Sequence, residues 1–319
     1  MIITLAGGVG ASRFLQGLVM AVDPKSVMAV VNTADDVVLH GLHVSPDLDT
    51  VTYALAGVVH PGQGWGIDGE SWTVMDALER FASSAPEGSA AGATWFRLGD
   101  RDMATHLYRT QRLLEGAALS QATDEIARAW GVGCRLVPMT DHRVETRVAV
   151  DGEGEIGFQE YFVQRRHAVV ARSVRFAGAS AAVPAPGILE ALGTADRVVI
   201  APSNPVVSIA PILAVPGIEE AVAARRDDAV AISPIIAGAA LKGPADRLMA
   251  ELGHEPSVVG IARMWAPWTA TLVVDEADAA LAPAVEKEGV RCVVAPTIMR
   301  GPAQAAALAR VVLGVLRRP

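Results

Sequence analysis

Cysteine, charged residues and long apolar runs are all scarce in this sequence. The two cysteines, Cys134 and Cys292, lie far apart and neither belongs to a CxxC pair, which argues against a zinc site or a disulfide framework. No run approaches the roughly 18 uncharged residues of a membrane-spanning helix, and the first residues lack the basic segment of a signal peptide. The formal net charge of -8 argues against nucleic acid as a partner. We therefore expect a cytoplasmic protein that binds neither membranes nor nucleic acids.

Hydrophobic residues make up 51% of the 319 positions, which is enough for one large compact domain. Strand-like apolar runs alternate with helical patterns, beginning with a strand at 1–6, a glycine turn, a helix at 12–22 and a strand at 27–31. Four later apolar runs continue this alternation, at 197–201, 229–233, 271–274 and 291–295. The alternation predicts an α/β fold with a Rossmann-like, doubly wound and mostly parallel sheet.

The middle of the chain departs from this alternation. Helical patterns with little strand signal between them occur at 48–56, 72–81, 101–114 and 123–130. Short runs rich in Val, Arg, Tyr and Phe then occupy residues 135–176. We interpret residues 120–180 as a smaller inserted α+β subdomain within a single Rossmann-like domain of residues 1–319.

A glycine-rich turn, Gly7-Gly8-Val9-Gly10, stands between the first strand and the first helix. Small residues at such a place let backbone N–H groups approach a phosphate, and a helix N-terminus favours an anion. The turn matches neither common fingerprint, because Arg13 stands where a Rossmann motif has a small residue and no Gly-Lys-Ser/Thr follows. A phosphate site and a merely tight turn both stay open, and Arg13 favours the first because guanidinium binds phosphate through two hydrogen bonds.

Four aspartates follow closely, namely Asp35, Asp36, Asp47 and Asp49. Each one alone is typical of a turn or of a helix N-cap. Together their carboxylates repel one another unless a cation or an acid–base role accommodates the charge. Carboxylate oxygens suit Mg²⁺. The glycine turn and the acids together predict phosphoryl-transfer chemistry with Mg²⁺ as the cofactor.

Polar residues follow two of the later strand-like runs. Ser203 and Asn204, with Ser208 one turn further on, follow one run, and Ser233 ends another. Such residues are ordinary turn formers, and they are also what a nucleotide base or ribose requires.

Alternating charges open the helical pattern at 101–114. Asp100 is typical of an N-cap with solvated partners. Trp95, Arg97 and His106 lie nearby and favour a ligand-facing edge instead. Both interpretations stay open at this stage.

In their order and spacing these motifs resemble the 2-phospho-L-lactate transferase family of coenzyme F420 biosynthesis, from the first strand through at least Gly243-Pro244. The motifs that carry the resemblance are Gly7-Gly8-Val9-Gly10 with Arg13, Val31-Asn-Thr-Ala-Asp-Asp36, Ser45-Pro-Asp-Leu-Asp-Thr50, Leu98-Gly-Asp-Arg-Asp102 with Ala104-Thr105-His106, Pro202-Ser-Asn-Pro205 and Ser233-Pro-Ile-Ile236.

The resemblance implies an enzyme that transfers a phosphorylated three-carbon acid from its guanosine diphosphate-activated form to the terminal ribityl hydroxyl of the deazaflavin FO. The products would be coenzyme F420-0, or its dehydro form, and GMP. It also implies a Rossmann-like core, Mg²⁺ dependence and a homodimer. Whether the acid is 2-phospho-L-lactate, phosphoenolpyruvate or phosphoglycerate stays open, because these acids differ by one hydroxyl, methyl or double bond.

The resemblance further implies roles for single residues. Asp35 and Asp49 would be the metal ligands and the catalytic acids, with Asp49 near the attacking hydroxyl. The ligand-binding candidates divide among the diphosphate (Gly8, Gly10, Arg13), the guanosine (Ser203, Asn204, Ser233) and the deazaflavin (Arg97, Asp100). Asn32 and Ser208 complete the set of ligand-binding candidates.

Two other functions compete with the transferase. A related group of non-enzymatic, nucleotide-sugar-binding regulators, of the gluconeogenesis-factor type, has a similar glycine turn, but there we expect a glycine-serine-rich stretch after the paired acids. Here Asp36 leads to Val37-Val-Leu-His40 instead. A nicotinamide oxidoreductase is disfavoured by the irregular glycine pattern and by several acids where a single ribose-binding acid is expected.

Overall fold

The computed structural model describes residues 1–315. Its strands, in chain order, are β1 (Ile2–Ala6), β2 (Val27–Val31), β3 (Val37–Leu39), β4 (Leu42–Val44), β5 (Arg135–Pro138), β6 (Glu145–Val150), β7 (Gly154–Gly157), β8 (Ala171–Ala177), β9 (Arg197–Ile200), β10 (Ala229–Ile232), β11 (Ile235–Ile236), β12 (Ala239–Ala240), β13 (Thr271–Val274) and β14 (Arg291–Val294). Its α-helices are α1 (Gly8–Ala21), α2 (Pro46–Leu55), α3 (Thr73–Ala82), α4 (Asp100–Leu114), α5 (Leu119–Ala129), α6 (Ile188–Thr194), α7 (Ala210–Leu213), α8 (Ile218–Ala223), α9 (Ala245–Glu251), α10 (Val258–Trp265), α11 (Ala282–Lys287) and α12 (Pro302–Gly314).

One seven-stranded sheet forms the centre of the fold, in the order β14-β13-β10-β9-β1-β2-β5. All of its strand pairs are parallel. Parallel strands are buried on both faces and therefore appear in the sequence as continuous apolar runs. Strands β1, β2 and β10 are buried along their whole length. The prediction of a doubly wound, mostly parallel sheet is confirmed.

Side chains of β1 point alternately into two hydrophobic clusters, one on each face of the sheet. Ile3 and Leu5 belong to one cluster, and Ile2 and Ala6 belong to the other. This alternation follows from the two-residue period of a strand. Apolar residues on both faces require covering helices, which makes the fold a three-layer α/β arrangement.

The strand order reverses at β1. The chain runs from β1 to β2 and β5 on one side, then returns to β9 and β10 on the other. Ligands of open α/β sheets bind beyond the carboxyl ends of strands at such a reversal. The glycine turn follows β1 and the segment 201–204 follows β9, so both candidate motifs lie at this place.

A smaller three-stranded antiparallel sheet, ordered β7-β6-β8, lies between β5 and β9 in the chain. It occupies the later part of the range 120–180, whereas β5 pairs with β2 in the main sheet. The small sheet reaches back to the acidic loop, since the Thr146 N–H donates to the Ala34 carbonyl at 2.7 Å. The Gln159 amide similarly donates to the Asp35 carbonyl at 2.9 Å.

The four helical patterns of the middle region are present as α2, α3, α4 and α5. Among residues 1–315, no helix combines the length and the apolarity that crossing a membrane would require.

Close contact between α1 and α12 depends on Gly17. A Cβ at this position would lie 2.3 Å from the Ala305 carbonyl oxygen. We expect Gly17→Ala to lower the free energy of unfolding by about 1–3 kcal/mol, because overpacking outweighs the better helix propensity of alanine. Urea denaturation followed by circular dichroism measures the change.

Gly193→Ala in α6 is the matched control. Within residues 1–315 nothing lies within 4 Å of the added Cβ, so we expect unchanged or slightly higher stability. Equal losses in the two variants would contradict the packing explanation.

Candidate active site

A cavity of about 1030 Å³ opens at the carboxyl ends of β1 and β9, where the strand order reverses. Most of the predicted site residues line it, namely Gly8, Gly10, Arg13, Asp35, Asp49, Arg97, Ser203, Asn204, Ser208 and Ser233. Asn32 lies behind the wall and is fully buried. Asp100 is outside the lining.

The glycine turn passes directly into α1, which begins at Gly8. Gly8 has φ +73°, a conformation that favours glycine. A Cβ on Gly10 would lie 2.1 Å from the Pro202 carbonyl oxygen, so only glycine permits the approach of the segment after β9. The Gly7 N–H donates to Ser203 Oγ at 3.3 Å and ties the two segments together. The helix N-terminus therefore faces the cavity, and such a terminus favours an anion.

Two of the four aspartates share one amide. Asn32 Nδ2 lies 3.1 Å from Asp35 Oδ2 and 3.0 Å from Asp47 Oδ2. Burial and the charge of Asp47 raise the pKa of Asp35 well above its usual range. Burial also raises the pKa of Asp47 to about 6, and the charge of Asp36 adds to the shift. Among residues 1–315, neither Asp35 nor Asp47 forms an ion pair within 4 Å.

Asp36 has a different environment. It accepts hydrogen bonds from Ser45 Oγ at 2.6 Å and from His43 Nε2 at 2.9 Å. These contacts tie the acidic loop to β4 and to the start of α2. The position of Asp36 outside the cavity lining favours a structural role for it.

Asp49 is paired with a buried arginine. Both terminal nitrogens of Arg109, which is 2% exposed, donate to the two carboxylate oxygens of Asp49. His106 bridges two acids, with Nδ1 at 3.6 Å from Asp49 and Nε2 at 3.2 Å from Asp102. Tyr53 donates its hydroxyl to Asp102 at 2.6 Å. The negative charge of Asp49 is therefore compensated within the protein, whereas that of Asp35 is not.

Two groups of side chains have the oxygen or nitrogen atoms that a cation requires. Ligand atoms of Asp49, Asp102 and His106 lie within 4.8 Å of one another. Arg109 already neutralises Asp49 there, so that group by itself attracts a cation less strongly than a group that includes an uncompensated acid. The crowded, uncompensated carboxylates of Asp35 and Asp47 fit a hard divalent cation such as Mg²⁺ better.

The polar residues after β9 and β10 form turns and also line the cavity. Asn204 Oδ1 accepts from the Val206 N–H at 2.9 Å, which leaves the side-chain amide nitrogen out of this turn. Ser233 Oγ donates to the Ile235 carbonyl at 2.8 Å. These residues can therefore form turns and still present polar atoms to a ligand in the cavity.

Aromatic side chains make up another part of the wall. Trp65 is 48% exposed and Trp72 lies 5.3 Å from the Arg97 guanidinium. Phe158 and Phe162, at the end of the small sheet, stack with ring centroids 5.6 Å apart and planes 4° from parallel. Flat apolar surfaces of this kind suit a planar ring system.

The structure gives Arg97 and Asp100 local partners. Arg97 forms ion pairs with Asp76 and Glu79 of α3 while still lining the cavity. Asp100 accepts from Ser71 Oγ at 2.6 Å and from backbone N–H groups at the start of α3. Asp100 thus caps α3 rather than the helix that it begins.

Sequence reasoning missed Arg109 and also Phe158 and Gln159, which directly follow β7 of the small sheet. A signal for Arg109 was present, because Asp102, His106 and Arg109 are spaced at i, i+4 and i+7 and so share one face of α4. No local pattern distinguishes Phe158, whose position in the wall depends on the packing of the small sheet.

Comparisons with known proteins identify one family over nearly the whole chain. The 2-phospho-L-lactate transferase CofD family matches residues 2–297. The phosphoenolpyruvate transferase of Kitasatospora aureofaciens is 44% identical over 323 residues, covering 98% of this chain and 97% of that protein. The phosphoenolpyruvate transferase of Streptomyces griseus is 45% identical over 317 residues, covering 97% of this chain and 96% of that protein.

A solved structure shares the fold. A UPF0052 family protein from Bacillus halodurans aligns with a TM-score of 0.59 at 16% identity, covering 98% of each chain. The family match and the curated relatives favour a transferase over both the regulator and the oxidoreductase. The chain therefore belongs to the 2-phospho-L-lactate transferase family and is a transferase enzyme.

Proposed function

We propose that this enzyme transfers a phosphorylated three-carbon acid, phosphoenolpyruvate or 2-phospho-L-lactate, from a guanosine diphosphate-activated donor to the ribityl hydroxyl of the deazaflavin FO. The observation that carries the proposal is that a glycine turn at a helix N-terminus, crowded carboxylates and an aromatic wall meet in one cavity. The relatives named above are phosphoenolpyruvate transferases, which favours phosphoenolpyruvate as the acid.

The reaction joins the hydroxyl oxygen of FO to the phosphorus that carries the three-carbon acid. The bond from that phosphorus to the bridging oxygen breaks, and GMP leaves with the electron pair. The hydroxyl proton passes to a carboxylate, for which Asp49 is the candidate because it lines the cavity and its orientation is fixed by Arg109. Arg13 and the N-terminus of α1 stabilise the negative charge on the phosphates.

We further propose that Mg²⁺ binds Asp35 and Asp49, with Asp47 as a neighbouring acid. A carboxylate has about four lone-pair positions, so the pairing with Arg109 leaves Asp49 able to bind a cation as well. Bound Mg²⁺ would neutralise charge on the diphosphate. We expect a homodimer, which analytical ultracentrifugation can test.

Incubation of the enzyme with FO and each of three guanylylated acids, followed by mass spectrometry, tests the whole proposal. We expect GMP and a phosphodiester of FO, formed fastest from the phosphoenolpyruvate donor. Absence of product from all three acids would contradict the proposed function.

Replacement of Asp49 separates its chemical role from its structural one. Asp49→Asn should cut turnover by roughly 10²-fold or more. It should also cost about 3–5 kcal/mol of stability, because Arg109 keeps a buried charge without a charged partner. The double variant Asp49→Asn with Arg109→Met should recover stability but not turnover.

Turnover is measured by GMP release, at a temperature where circular dichroism shows each variant to be folded. Asp124→Asn, at an exposed site on α5, is the control for loss of one acidic charge. Near-normal turnover in the folded double variant would remove Asp49 from the mechanism.

Thermal unfolding tests the cation site without an activity measurement. We expect Mg²⁺ to raise the melting temperature of the wild type. Asp35→Asn should abolish that rise, yet without Mg²⁺ it should melt at the same or a higher temperature, because one of two crowded buried charges is gone. A full Mg²⁺ response in Asp35→Asn would contradict this assignment, and Asp124→Asn again provides the control.

The aromatic wall predicts a selective effect on the acceptor. Trp65→Ala should raise the KM for FO about two- to tenfold and leave the KM for the donor unchanged, because an aromatic contact contributes about 0.5–1.5 kcal/mol. Phe81→Ala, at an aromatic residue that is 71% exposed and outside the cavity lining, is the control. Equal changes in both KM values would argue against stacking of FO on Trp65.

A further inference from the structure

The Asp47 side chain lies against the glycine turn itself. A Cβ on Gly7 would come within 2.7 Å of Asp47 Oδ2, and a Cβ on Gly8 would lie 3.9 Å from Asp47 Oδ1. Gly8 is the first residue of α1. A carboxylate of the protein thus lies beside the N–H groups, at the positive end of a helix, that would make this turn an anion site.

Asn32 holds this carboxylate in place. Its amide nitrogen donates to Asp47, to Asp35 and to the Val207 carbonyl, the last at 3.2 Å. Asn32 is fully buried and cannot follow Asp47 outward without breaking the other contacts. Asp47 is therefore a fixed negative charge at the turn, with a second carboxylate beside it.

Positive groups are also present near the turn. Arg13 Nη2 and Lys242 Nζ both lie 3.6 Å from the position of a Cβ on Gly64. Lys242 donates to the Gln63 carbonyl at 2.6 Å and Arg13 to the Met299 carbonyl at 3.3 Å. These two cations attract a diphosphate, but neither forms an ion pair with Asp47 among the residues that the structure describes.

A diphosphate at the turn would meet the charge of Asp47 at close range. Two like charges at such a distance repel, and the repulsion is stronger where the surroundings exclude water. A divalent cation between the carboxylate and the phosphates turns this repulsion into attraction on both sides.

We propose that Asp47 makes nucleotide binding conditional on the divalent cation, so that the diphosphate binds tightly only after Asp47 has been neutralised. The inference rests on the proposed function, since it takes a guanosine diphosphate to be what occupies the turn. It assigns Asp47 a role in the order of binding that is separate from the transfer step.

Calorimetric titration with GDP, in EDTA and in saturating Mg²⁺, tests the proposal. For the wild type we expect Mg²⁺ to tighten GDP binding by about tenfold or more. Asp47→Asn keeps the shape of the side chain and removes its charge. In EDTA this variant should bind GDP with about tenfold or more higher affinity than the wild type does. Mg²⁺ should raise the affinity of the variant for GDP by less than about threefold.

Asp36→Asn is the matched control. It removes an equal charge from the same region, but the Asp36 carboxylate contacts His43 and Ser45 rather than the turn. We expect it to keep the wild-type dependence on Mg²⁺. If Asp36→Asn behaves like Asp47→Asn, the effect belongs to net charge and the proposal is overturned.

Two further outcomes distinguish a failure of this inference from a failure of the proposed function. Wild-type binding of GDP that is equally tight with and without Mg²⁺ overturns the role of Asp47 and leaves the proposed donor intact. No GDP binding in either condition overturns the proposed donor and, with it, this inference. Circular dichroism checks folding, and Asp47→Ala, for which we expect the same loss of Mg²⁺ dependence, replaces Asp47→Asn if the latter does not fold.

Discussion

Repulsion among carboxylates beside the glycine turn is the constraint on which the rest of the site depends. Asp35 and Asp47 share the amide of Asn32, and Asp49 lies on the same cavity wall. Close carboxylates in a partly desolvated place destabilise the folded protein unless something compensates their charge. The surrounding structure compensates the charge of some of these acids but not the charge of others.

The difference between the acids divides the site into two parts. Asp49 has Arg109 on both oxygens and His106 beside it, so a protein cation compensates its charge without any ligand. Asp35 and Asp47 have neutral hydrogen-bond donors and each other. A carboxylate that is paired internally is held in a fixed orientation, whereas one that is left uncompensated suits a cation. The fold thus gives different surroundings to residues that look alike in the sequence.

Much of the architecture could be predicted because it depends on local patterns. Apolar runs for buried parallel strands and the glycines of the turn are visible residue by residue, and the central sheet and α2 to α5 are present as the patterns indicated. The bounds of the inserted region were harder to predict from the sequence, because the range 120–180 contains both a strand of the main sheet and the whole of the small sheet. Strand periodicity alone does not tell which sheet a strand joins.

By itself the sequence determined the family, the parallel sheet, the glycine turn and the four acids near it, because each of these is encoded by residues close together in the chain. Only the tertiary structure decided which acid is neutralised by a protein cation and which is not. Arg109 is 60 positions from Asp49, and the carbonyl that helps to anchor Asn32 is 175 positions away. Charge compensation depends on distances in space between residues far apart in sequence, and those distances exist only once the chain has folded.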